Sequence, residues 1–105
     1  MANGRLGAVD LSANVDATVF TVTSATVASF SVSVCNRNAA RVRVRLALAA
    51  TATPTAADYL EYDTLLPANS VLERTGLILE GGKLLVARSD TTNVNCVAYG
   101  YEDVL

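Results

Sequence analysis

The chain has 105 residues, 51% of them hydrophobic and only 17% charged, with a net charge of −2 and no histidine. A chain of this length makes one domain that buries about 65% of its unfolded surface, enough for a core without disulfide or metal staples. The charge balance gives no electrostatic footprint for nucleic acid, and the absence of histidine removes the commonest general base and metal ligand.

Residues 1–8 are small, glycine-bearing and weakly patterned, suited either to a first edge strand or to an extended arm lying on a neighbour. They hold no apolar run, so no secretory signal is expected, and no stretch is long and apolar enough to span a bilayer. Val9-Asp10-Leu11 is a short pairing segment, and Ser12 to Asp16 reads as a turn. Thr18 to Thr23 is a β-branched run around Phe20, hence a strand. A longer strand follows from Thr26 to Asn36, where Ala28, Phe30, Val32 and Val34 alternate with Ser29, Ser31, Ser33 and Cys35.

Arg41 to Leu48 is the most sharply patterned stretch. Val42, Val44, Leu46 and Leu48 share one face at a period of two, with Arg41, Arg43, Arg45 and Ala47 on the other. A helical period would scatter the same residues, so this is a half-buried strand with a cationic outer face. The short polar link from Asn36 to Ala40 predicts that it forms a hairpin with the preceding strand. Phe30, Val32, Val34, Val42, Val44, Leu46 and Leu48 are expected on one core.

Thr53-Pro54-Thr55-Ala56-Ala57-Asp58 predicts a single helical turn. Tyr59 to Asp63 resumes strand composition, and Pro67 to Ser70 is a turn. Val71 to Leu79 is a strand whose phase slips between Arg74 and Leu77, so Thr75-Gly76 predicts a bulge or a corner. Glu80-Gly81-Gly82-Lys83 predicts a tight hairpin turn, and Leu84 to Ser89 and Val94 to Tyr101 complete the strands. About eight short strands with one helical turn predict an all-β fold, a single antiparallel β-sandwich over residues 1–105. Jelly-roll-like and immunoglobulin-like strand orders both fit the pattern.

No catalytic constellation is visible, and no cofactor or metal is expected. Cys35 and Cys96 are too few for a disulfide framework and are expected as free thiols in a reducing cytoplasm. Asp58, Glu61 and Asp63 lack calcium-loop spacing and read as a solvated acidic edge. Tyr59, Tyr62, Tyr99 and Tyr101 suit either sugar stacking or rings buried under wet hydroxyls. Arg41, Arg43 and Arg45 suit either a grip on an acidic partner or a solvated face paired with Glu61, Glu73 or Glu80. With Arg5 and Leu6 they are the candidate partner-contact residues. Charge this sparse points to a protomer whose flanks are covered by neighbours.

The stretch Ala52 to Asp63, running on through Leu66 to Gly76 and preceded by Asn36-Arg37-Asn38, is not generic β sequence. It resembles a family of small tailed-bacteriophage structural proteins, β-sandwich modules found as capsid decoration (cement) proteins or as fibre modules. The resemblance runs from Val32 to Glu102 and carries no catalytic residues. It implies a virion protein assembled in the bacterial host cytoplasm, a homo-oligomer and most readily a trimer, whose partner is the major capsid protein or another virion component. Nucleic acid and membrane are not implied. The alternative it carries is a tail-fibre or head-fibre knob that recognises a host-surface glycan.

Overall fold

The computed structural model describes residues 3–105. Each β-branched or alternating run forms a strand: β1 Asn3–Leu11, β2 Ala17–Thr21, β3 Thr26–Asn36, β4 Val42–Ala49, β5 Tyr59–Leu66, β6 Val71–Glu80, β7 Leu84–Ser89 and β8 Val94–Val104. The helical turn is a single 3-10 turn at Ala56–Asp58, closed by the Thr55 N–H donating to the Asp58 carboxylate at 2.8 Å.

Pairing runs inward from the termini. β1 pairs with β8, β2 with β7, β3 with β6 and β4 with β5, all antiparallel, so the chain is one long hairpin folded over on itself. Two more ladders, β3 with β8 and β4 with β7, weld it into the sheets β1-β8-β3-β6 and β2-β7-β4-β5. That strand order is a jelly roll, which decides between the two orders the sequence allowed.

The hairpin expected between β3 and β4 does not form. The two strands lie in opposite sheets, with their apolar faces opposed across the core. Periodicity determines which face of a strand is buried, and two buried faces can meet in one sheet or across a sandwich. Glu80 to Lys83 does turn tightly, the Lys83 N–H donating to the Glu80 carbonyl at 3.3 Å, but it too leads from one sheet to the other. Among the described residues, β4 and β5 are the only consecutive strands that pair.

The core takes the inner rows of both sheets. Phe30, Val32, Val34, Val42, Val44 and Leu46 are buried in it as expected, while Leu48 packs against it half-buried near the strand end. Phe20 and Phe30 meet edge to face at 5.0 Å between ring centroids. Full burial of a side chain such as Leu46 stabilises by about 1.5–3 kcal/mol. A smaller cluster of Ala47, Ala49 and Val86 lies on the other side of the second sheet, packed by Tyr59 and Leu84. Ala47 therefore shares the arginine face without being wet.

The phase slip in β6 is a bulge. Register jumps so that Thr75 and Gly76 together oppose Ser31, and Gly76 takes a positive φ of 70° that suits a residue without a side chain. Residues 3–8, left open between edge strand and arm, lie within β1 against β8; Met1 and Ala2 fall outside the described residues. Cys35 and Cys96 are both free. They sit on neighbouring strands with Cys96 turned into the core and Cys35 on the outer face, so their side chains diverge.

Candidate functional site

The outer face of the β2-β7-β4-β5 sheet carries the arginine row. Register in the β4–β5 ladder jumps between Val44–Thr64 and Leu46–Glu61, so Arg45 alone faces two residues, Tyr62 and Asp63. Asp63 adopts φ 53°, a conformation that Asp tolerates better than most residues. This bulge turns both side chains onto Arg45. The guanidinium lies 4.1 Å from the Tyr62 ring centroid and donates through Nε to Asp63 Oδ1 at 2.6 Å and through Nη2 to Oδ2 at 3.2 Å. The hydrogen bond from Arg45 holds the Asp63 carboxyl below the usual carboxylate range, and the same bond raises the guanidinium further above its own.

Tyr62 also meets Tyr59 edge to face at 4.8 Å. With Pro54 and Ala56 from the β4–β5 connection, the two rings line an open groove of about 480 Å³. The groove has flat apolar walls at one end and a fixed ion pair beside it. It can hold an apolar or amphipathic ring by stacking.

The five candidate contact residues do not form one surface. Arg45 is committed to Asp63, a partner the sequence reading did not name. Arg88, directly opposite Arg45 in the β4–β7 ladder, is held 3.7 Å from Asp16, so the row is largely neutralised where it is densest. Arg43 is tied locally through its backbone N–H, which donates to the Asp90 carboxylate at 3.1 Å. The side chains of Arg41 and Arg43 make no ion pair among the described residues. Arg5 lies exposed on β1 in the other sheet, and Leu6 packs half-buried against the core. Of the expected carboxylate partners, Glu61 pairs instead with Arg74 of β6 at 3.2 Å, joining the two edge strands at one side of the sandwich.

The acidic cluster is likewise dispersed. Asp58 caps the 3-10 turn, Glu61 bridges the sheets and Asp63 anchors Arg45. Among the described residues, no three acidic or cysteine side chains gather as a metal site.

The outer face of the β1-β8-β3-β6 sheet escaped the sequence reading. Tyr99 and Tyr101 on β8 stand opposite Ser31 and Ser29 on β3, and Val97 stands opposite Ser33. Ile78, 67% exposed, flanks Ser29 on the other side, and Val71 is exposed at the far end of β6. The serine row looked like an ordinary wet face. What it does is leave a low trough beside a ridge of tyrosines.

No family model matches the sequence, and no curated protein matches it. One solved structure, a pentameric capsid protein isolated from metagenomic phage sequences, is similar over 93% of this chain. The identity is 16% and the TM-score 0.45, and the match spans 64% of that protein's own chain. A likeness that distant leaves the function of this chain to be argued from its own residues.

Proposed function

We propose that this protein is a structural component of a tailed-phage virion, a decoration module that binds the outer capsid lattice as a homo-oligomer. The observation that carries the reading of an assembling, homo-oligomeric component is the broad outer face of the β1-β8-β3-β6 sheet, whose centre holds tyrosines, serines and aliphatic residues and no charge. A small chain with little charge elsewhere keeps such a face in solution at a cost, and cover by protein removes it. The sequence resemblance supplies the setting, and the jelly-roll order is one that viral coat modules share with lectins. The role is mechanical rather than catalytic. The resemblance implies three copies, whereas the geometry of the face suits two.

Arg41 and Arg43 are the cations of the arginine row left to meet an acidic patch on the shell, and added salt then weakens attachment. The test is to mix purified protein with undecorated capsids of the phage and follow co-sedimentation and capsid melting. Binding with a raised melting temperature is expected; failure to bind at micromolar concentration overturns the reading. The groove of Pro54, Tyr59 and Tyr62 beside the Arg45–Asp63 pair favours a second reading, a fibre module that stacks on a host glycan. Density for the protein on tail or head fibres instead of the shell would select it.

A further inference from the structure

We infer that the outer face of the β1-β8-β3-β6 sheet is a twofold interface with a second copy of this chain, in which the tyrosine ridge of each copy fills the serine trough of the other. The inference deepens the proposed virion role and rests on it only for the biological setting; the geometry is the protein's own. Tyr99, Tyr101 and Val97 form a tall row on β8, and Ser31, Ser29 and Ser33 form a short row at the same levels on β3. These two strands are the middle pair of the four. A twofold axis running along the strands between them lays β8 of each copy over β3 of the other. Tyr99 then sits above Ser31 of the second copy and Tyr101 above its Ser29, and the same contacts are made twice.

The trough is open enough to receive a ring. Ser29, Ser31, Gly76, Gly100 and the two tyrosines enclose a hollow of about 230 Å³ over Phe30. Gly100 lies so close to β3 that a side chain there would overlap the Ser29 carbonyl, and Gly76 has no side chain to close the far wall. Sheets pack about 10 Å apart, a gap that tyrosine against serine spans without colliding.

One charge pair and the area agree with the same arrangement. The axis that exchanges β8 and β3 also lays β1 over β6, bringing Arg5 of one copy to the strand that carries Glu73 of the other, one residue pair away in level, while Asp10, at the same offset on the other side of Glu73, is already paired with Arg37 of its own protomer. Arg5 and Glu73 make no ion pair within the protomer among the described residues. Four strands of this length present roughly 650 Å² in projection. A standard stable interface takes about 800 Å² of accessible surface per partner, which a corrugated face of that projection supplies.

The experiment is sedimentation equilibrium on the isolated full chain, without capsids, with circular dichroism to confirm folding of each variant. The wild type is expected to dimerise in the micromolar range or tighter. Ile78→Asp and Ser31→Trp, both on the outer face, are expected to raise the dissociation constant about 30-fold or more, as for a hot-spot residue. Arg5→Glu and Glu73→Arg should each weaken the dimer, and the double variant should recover it. A chain still monomeric at about 100 μM, well above the expected dissociation constant, or a trimer indifferent to Ile78→Asp and Ser31→Trp, overturns the inference. So does a monomeric protein whose Ile78→Asp variant loses capsid binding, because the face then belongs to the shell. A dimer that behaves as expected but never binds capsids leaves the interface standing and removes the decoration role.

Discussion

Asn36 sits where three segments meet, and its side chain is almost fully buried. Its Nδ2 donates toward the carbonyls of Ala40, Leu66 and Pro67 at 2.9, 3.2 and 3.0 Å, while its Oδ1 accepts from the backbone N–H and the Nδ2 of Asn38. Asn36→Ala leaves several of those groups without a partner, and is expected to cost about 2–3 kcal/mol, read from the urea midpoint. The two thiols should separate cleanly by chemistry. Burial pushes the Cys96 thiol up to about 12, so it stays neutral and covered at pH 8, whereas Cys35 is partly exposed. A thiol reagent should therefore modify Cys35 in the folded protein and Cys96 only after denaturation. Equal rates at both positions would contradict the buried placement, as would a melting temperature that falls with reductant. The Asp63 carboxyl, depressed by its hydrogen bond with Arg45, contributes stability above the ordinary carboxylate value that is lost as pH falls through the depressed one. Asp63→Asn should thus lower the urea midpoint at pH 7, and the difference from wild type should shrink by about pH 3.

At the scale of the element, β4 shows what alternation can and cannot determine. Val44 is 1% exposed on the inner row, and its neighbour Arg43 is exposed on the outer. Val44→Asp puts an unpaired charge into the buried cluster that also holds Leu46, Leu85 and Val32, and is expected to abolish the cooperative unfolding transition. Arg43→Thr should stay within about 0.5 kcal/mol of wild type in the same measurement. The bounds of β3 and β7, the buried row of β4 and the bulge at Thr75-Gly76 were all legible, because each follows from local period or from glycine. The partner of a strand was not. Val42 to Leu48 has the same inner row whether β4 lies beside β3 or across from it, and only the whole set of strands decides. The Arg45 site was hidden for a related reason. Asp63 reaches Arg45 because β5 bulges at Tyr62-Asp63, and the only sign in the sequence is that Tyr59 to Leu66 has no clean alternation. Asn36 looked like the first residue of a polar loop, since nothing local marks an amide that will be buried by segments 30 residues away.

For the whole molecule, the jelly-roll order makes the ends of the chain depend on each other. β1 finds its partner in β8, at the other end of the sequence, and six of the seven links between consecutive strands change sheet. Loops must close before these pairings form, so folding is expected to be slow for a chain of this size. Residues 1–8 give the sharpest test of this architecture. As a free arm on a neighbour they would be dispensable for folding, and their loss would only weaken attachment to that neighbour. Residues 3–8 are most of β1 and complete the sheet: Leu6 packs against the core, and Arg5, Gly7 and Ala8 pair with Tyr99, Ala98 and Val97. Removing them exposes the outer edge of β8, an unpaired row of backbone donors and acceptors beside an aromatic face, which is a template for aggregation. The truncated chain should melt well below the full chain and precipitate on heating, even with no capsid present. If it instead keeps the wild-type melting temperature as a soluble protein, β1 contributes little to the sandwich and the segment is free to serve a neighbour.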